Sequence, residues 1–97
     1  MSRISIVCTL SAADRVVRAD EWQQLKAKAI RRELTNEGAR LTFTPATVTA
    51  SAVADLVARE VTCCPFLSFT LSITAQDLVL TVAAPDDARE IVAALVG

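Results

Sequence analysis

Two adjacent cysteines and a nearby glutamate are the most distinctive group of reactive side chains in the sequence. Glu60 precedes Cys63 and Cys64 by three and four residues, so on a helix the three side chains would share one face. Pro65 follows at once; it cannot continue a helix and biases Cys64 towards an extended conformation. The pattern predicts a carboxylate and two thiols at the junction between a helix and a following strand.

These side chains suit the coordination of a thiophilic ion. Thiolates are soft donors that select ions such as Cu(I), Zn(II) and Hg(II). Cys8 as a third thiolate would suit As(III) or Hg(II), whereas Glu60 as the third donor would suit four-coordinate Zn(II) with one open position. The spacing is not the Cys-x-x-Cys of structural zinc modules. We therefore predict a site for a soft metal or metalloid ion, with Cys63, Cys64, Cys8 and Glu60 as candidate ligands and the ion left open.

Core packing is the competing interpretation of the same residues. Cysteine is among the residues most often buried, and Cys8 continues the apolar face of Ile4 and Ile6. A salt bridge between Glu60 and Arg18 would explain an acid in an apolar helix without any ligand. A nearby arginine would also favour thiolate formation by lowering the pKa of a cysteine. A structural or interaction module with buried cysteines therefore stays an alternative, with Phe66 expected to shield the thiols from water.

Catalysis is a further alternative. A cysteine could act as the nucleophile of a thiol redox or organometal-cleaving enzyme, with Glu60 as the proton donor. The sequence has no histidine, which removes the commonest general base. We therefore favour binding over catalysis and assign no catalytic residue.

Hydrophobic periodicity predicts an α+β fold that would position this group. The expected order is β-α-β-β-α-β-β-α, with a mainly antiparallel sheet packed against helices. The predicted elements are a strand over residues 4–8, a helix from 12 to about 30, strands over 31–34 and 40–43, a helix over 50–62, strands over 67–74 and 78–83, and a helix from 85.

Several residues have expected places within these elements. Val17 and Val61 are expected on the buried stripes of the first and second helices, and Trp22 is expected to anchor the core beside Arg18. Gly38 is expected to supply the left-handed residue of the first hairpin.

Length and composition predict one domain over residues 1–97. The hydrophobic fraction of 53% is ample for a core, and the net charge is −1 with no long basic run. We therefore expect no direct binding of nucleic acid or of an anionic membrane. The sequence shows neither a signal-peptide pattern nor an apolar run of the ~20 residues that span a bilayer. With three cysteines, an odd number, the expected compartment is the reducing cytoplasm; an oligomer stays open.

The segment Glu-x-x-Cys-Cys-Pro-Phe-Leu-x-Phe, with Cys8 and Arg18 before it, resembles a family of small bacterial proteins. The matching positions include Cys8, Arg18, Phe69 and residues 60 and 63–66. Similar segments occur beside or fused to regulators of the mercury-resistance repressor type. The resemblance implies a link to heavy-metal or thiol biology. A regulatory role would need a separate transcriptional regulator as partner, because the helix-turn-helix of those regulators would require about 60 to 70 further residues.

Overall fold

The protein is an α+β fold, as predicted. The computed structural model describes residues 11–96, so the predicted first strand and Cys8 lie outside the described residues. The described order is α-β-β-α-β-β-α. Its elements are helices α1 (Ala12–Ala27), α2 (Ala50–Cys63) and α3 (Arg89–Val96), strands β1 (Arg31–Leu34), β2 (Gly38–Phe43), β3 (Ser68–Ile73) and β4 (Leu78–Ala83), and a 3₁₀ turn (Asp86–Ala88) before α3.

The four described strands form one antiparallel sheet in the order β1-β2-β4-β3. Its register aligns Leu41, Leu80 and Leu71 across the three strands β2, β4 and β3. Alternate residues of β2 and β4 are buried, as expected for a sheet with one covered face. The helices lie on that face, where α2 contacts β3 and α3 contacts β2 and β4. Helix α2 is therefore held against the sheet through β3.

Polar side chains begin both of the longer helices. The Ser11 hydroxyl accepts a hydrogen bond from the backbone of Asp14, and the Thr49 hydroxyl accepts one from the backbone of Ala52, each at 3.2 Å. Each bond satisfies one of the amide groups that a helix start leaves without a partner. Thr49 is therefore the cap of α2.

The prediction that Val17 and Val61 lie on buried stripes is wrong. Val17 is 61% exposed and Val61 is 40% exposed. The buried residues of α2 are Val53, Leu56, Glu60 and Cys63, which recur every three or four positions as a helical face requires. Glu60 is therefore buried on α2, where hydrophobicity alone predicted Val61. The carboxylate of Glu60 can be buried there because it has a charged partner inside the fold.

The prediction that Gly38 supplies a left-handed turn residue is also wrong. Gly38 does not have a positive φ, and it is the first residue of β2 rather than a turn residue. The hairpin is closed by Thr35, whose amide donates to the Gly38 carbonyl at 2.9 Å. A Cβ on Gly38 would overlap the carbonyl oxygen of Val82 and lie 2.9 Å from its carbonyl carbon. Glycine is required here for the close approach of two backbones.

Candidate metal centre

The C-terminal end of α2 brings the predicted acid and thiols together. Cys63 is the last helical residue, and Cys64 leaves the helix with an extended φ of −128°. The Cys64 amide still donates to the Glu60 carbonyl at 2.7 Å, and the Leu67 amide donates to the Cys64 carbonyl at 3.0 Å. These two bonds hold both cysteines in a fixed turn between α2 and β3. The sequence prediction of a helix-to-strand junction is confirmed.

The three side chains converge on one small volume. The Cys63 sulfur lies 3.7 Å from the Cys64 sulfur and 3.5 Å from Oε2 of Glu60. One ligand atom from each residue lies within 4.8 Å of the other two. All three residues are buried, with exposures of 3% for Glu60, 4% for Cys63 and 5% for Cys64. A carboxylate and two thiols buried this closely could hold a metal ion.

Arg18 of α1 reaches this group from the facing helix. Its Nη1 donates to Oε2 of Glu60 at 2.5 Å and to the Cys63 sulfur at 3.3 Å. The predicted salt bridge is therefore present, between side chains that are 13% and 4% exposed. Burial acts to lower the pKa of Arg18, but its bonds to Glu60 and Cys63 outweigh that effect and raise the pKa above its ordinary value. Arg18 is accordingly a permanent cation at the site.

Arg18 also joins the site to a chain of charges on the surface between α1 and α2. Its Nε lies 3.6 Å from Oε1 of Glu21. Both oxygens of Glu21 accept hydrogen bonds from Arg59, at 3.0 and 2.7 Å, and Arg59 Nε donates to Asp55 at 3.0 Å. The hydrogen bonds from Arg59 lower the pKa of Glu21. The charges of Glu60, Arg18, Glu21, Arg59 and Asp55 therefore alternate in sign along one path.

Sequence reasoning missed Glu21 and Arg59. A local signal was present, since Arg18 and Glu21 are three residues apart and Asp55 and Arg59 are four apart, the spacings of ion pairs on a helix. The contact between Glu21 and Arg59 joins residues 38 positions apart. It depends on how α1 and α2 pack, which spacing does not specify.

Aromatic side chains form part of the core to which the two cysteines belong. Phe66 is buried directly after Pro65 and belongs to the same core cluster as Cys63 and Cys64. Trp22 is buried as predicted, and its ring stacks on Phe69 with centroids 6.0 Å apart. Trp22 follows Arg18 by four residues and so lies on the same face of α1. Cys63 and Cys64 therefore share one hydrophobic core with Phe66 and Trp22.

No protein-family model, curated protein or solved structure matches this chain. The resemblance to small bacterial proteins linked to mercury-resistance-type regulators therefore stays a prediction. Within residues 11–96, no helix has the length and apolar character needed to cross a membrane. The class that the structure itself defines is an α+β protein with a buried Glu-Cys-Cys group able to hold a metal ion.

Proposed function

We propose that this chain is a thiol-based binding or sensing domain for a soft metal ion or metalloid. Cys63 and Cys64 would bind as thiolates and Glu60 through its carboxylate, with Cys8 as a further candidate ligand. The observation that carries the proposal is the convergence of three buried potential ligand atoms within 4.8 Å of one another. Two soft sulfurs favour Zn(II), Cu(I), Hg(II) or As(III) over hard cations such as magnesium.

The distance between the two sulfurs supports four-coordinate geometry. With metal–sulfur bonds of about 2.3 Å, the 3.7 Å separation corresponds to an S–metal–S angle of about 107°, close to tetrahedral. A linear two-thiolate complex with bonds of that length would need ~4.6 Å between the sulfurs. The 3.5 Å from the Cys63 sulfur to Glu60 also suits a tetrahedral sulfur and oxygen pair. These two separations are those expected for Zn(II).

A bound ion at this place would be well isolated from water. All three candidate ligands are buried, and interactions between charges are stronger where solvent is excluded. The turn that holds Cys64 fixes the backbone of both cysteines, so less ordering is needed when an ion binds.

The cellular role that follows is metal sensing in the cytoplasm, where thiols stay reduced. The resemblance to segments found beside or fused to mercury-resistance-type regulators suggests a transcriptional regulator as the partner. The domain would then report metal occupancy to that separate protein rather than bind DNA through a basic surface of its own, since its net charge is −1.

A structural module with buried cysteines is the second candidate. The contact between Arg18 and Glu60 at 2.5 Å favours it, because this ion pair satisfies the buried carboxylate without a metal ion. The two candidates predict opposite results for metal affinity and for the tolerance of serine at the cysteine positions.

Equilibrium titration of the reduced chain tests the proposal. Zn(II), Cu(I), Hg(II) and As(III) would each be titrated against a competing chelator. Because changes in residues that merely orient ligands cost 10- to 100-fold in affinity, losing a ligand should cost at least about 100-fold. We expect Cys63→Ser, Cys64→Ser and Glu60→Gln to weaken Zn(II) binding by that factor. Glu90→Gln, which changes an exposed acid on α3, is the matched control.

The outcome separates the two candidates. If both serine variants bind every ion as the unaltered chain does, the metal proposal is wrong and the structural module is favoured. Cys8→Ser, measured in parallel, tests whether that residue adds a third thiolate.

A further inference from the structure

The guanidinium of Arg18 already contacts two of the candidate metal ligands. Its Nη1 lies 2.5 Å from Oε2 of Glu60 and 3.3 Å from the Cys63 sulfur. An ion bonded to those atoms at about 2.1–2.3 Å would lie within a few ångströms of the guanidinium. Two positive charges that close together repel each other strongly in a buried site. Arg18 and a metal ion therefore compete for the carboxylate of Glu60.

Arg18 has a second acid within reach on its own helix. Its Nε lies 3.6 Å from Oε1 of Glu21, whose side chain is one third exposed. Glu21 also holds Arg59 through two hydrogen bonds of 3.0 and 2.7 Å. Arg18 thus lies between a buried acid that could bind a metal ion and a surface acid that remains available as its partner.

We propose that Arg18 is exchanged for the metal ion at Glu60 and is then retained by Glu21. The inference rests on the proposed metal-binding function and describes how that site is regulated. When Zn(II) binds, each thiol gives its proton to solvent and the two sulfurs and the Glu60 carboxylate bond the ion. Arg18 gives up Glu60 but keeps its contact with Glu21.

The positions of the two acids support this exchange. Glu60 and Glu21 both contact the guanidinium of Arg18, with nitrogen–oxygen distances of 2.5 and 3.6 Å. Arg18 can therefore give up Glu60 and still keep an acidic partner.

The exchange also makes Arg18 a determinant of ion specificity. An ion that needs the carboxylate must displace Arg18 from both Glu60 and Cys63, whereas an ion bound linearly by the two sulfurs displaces only the 3.3 Å contact of Arg18 with the Cys63 sulfur. Arg18 should therefore oppose Zn(II) more than Hg(II). Occupancy would be transmitted to the surface through Glu21, which contacts both Arg18 and Arg59.

Zn(II) and Hg(II) affinities of four variants of the full chain test the inference. Arg18→Met removes the competing cation and should tighten Zn(II) binding about tenfold, which is 1.4 kcal/mol, while changing Hg(II) affinity by less than about threefold. Glu21→Gln removes the retaining acid and should weaken Zn(II) binding about tenfold. The double variant Arg18→Met/Glu21→Gln should bind Zn(II) as Arg18→Met does. Arg40→Met, at an exposed arginine of β2, is the control.

Each result bears on a different claim. If the unaltered chain binds none of Zn(II), Cu(I), Hg(II) and As(III), the proposed function fails and the exchange fails with it; if it binds another of these ions but not Zn(II), only the exchange is overturned. If it binds Zn(II) but Arg18→Met leaves that affinity unchanged or weaker, only the exchange is overturned. Should Arg18→Met not fold, the Zn(II) affinity of Glu21→Gln tests the exchange by itself. A tenfold weaker affinity supports the retention of Arg18 by Glu21, and an unchanged affinity contradicts it.

Discussion

Removing the Arg18 cation should expose how strongly the fold depends on a buried ion pair. Arg18→Met keeps the length and apolar stem of the side chain but leaves Glu60, whose side chain is 4% exposed, without its cation. An unpaired buried charge is costly to the folded state. We expect the free energy of unfolding to fall by about 3 kcal/mol when measured with a chelator present.

The magnitude follows from the burial of the two side chains. Breaking a buried ion pair by removing one partner costs about 3–5 kcal/mol, and the 13% exposure of Arg18 places this pair near the lower limit. Coulomb's law gives a similar size, since unit charges about 4 Å apart attract by about 4 kcal/mol at an effective dielectric constant of 20. Replacing both residues removes the unpaired charge. Arg18→Met/Glu60→Leu should therefore recover to within about 1 kcal/mol of the unaltered chain.

Urea unfolding followed by circular dichroism at 222 nm measures these differences. The four proteins of the cycle, namely the unaltered chain, the two single variants and the double variant, give the coupling energy between the residues. Arg40→Met is the control for loss of an exposed arginine and should change stability by less than about 0.5 kcal/mol. Additive effects of the two substitutions, or a loss below about 1 kcal/mol for Arg18→Met, would refute the assignment of a buried, energetically coupled pair.

Two further predictions concern the hairpin and the surface charges. Gly38→Ala should lower the free energy of unfolding by about 2–3 kcal/mol, because its Cβ would overlap the backbone of Val82; Asn36→Ala, in the exposed turn of the same hairpin, should cost less than about 0.5 kcal/mol. Glu21→Gln should cost less than about 1 kcal/mol near neutral pH, because its pair with Arg59 is partly exposed. Since Arg59 lowers the pKa of folded Glu21, this contribution is fully present above the unfolded pKa of about 4.3 and disappears as the pH falls through the lowered pKa. Urea unfolding at neutral and acidic pH checks the sign, and a difference that grows in acid would contradict it.

Local patterns predicted the parts of the fold that depend on nearby residues. The strand over 78–83 was predicted as the hairpin partner of the strand before it and is confirmed. The proximity of Glu60 and Cys63 also follows from their spacing on one helix, and Cys64 joins them from the turn that follows it.

Contacts between distant elements decided the features that were predicted wrongly. Hydrophobicity favoured Val61 for the buried face of α2, but the partner that stabilises Glu60 there comes from α1, 42 residues earlier. Gly38 is required by the carbonyl of Val82 on another strand, which local turn preferences cannot reveal. The Glu21–Arg59 pair likewise depends on how the two helices pack. In each case the deciding neighbour is far away in sequence.

Trp22 gives the protein an optical signal of its own. It is the only tryptophan, and the sequence has no tyrosine, so emission excited near 295 nm would come from this one ring. The indole is fully buried and stacks on Phe69, and its Nε1–H has no hydrogen-bond partner among residues 11–96. Such an apolar environment places emission at short wavelength. Because Trp22 lies one helical turn beyond Arg18, movement of that arginine would be read as a change in fluorescence, without any attached label.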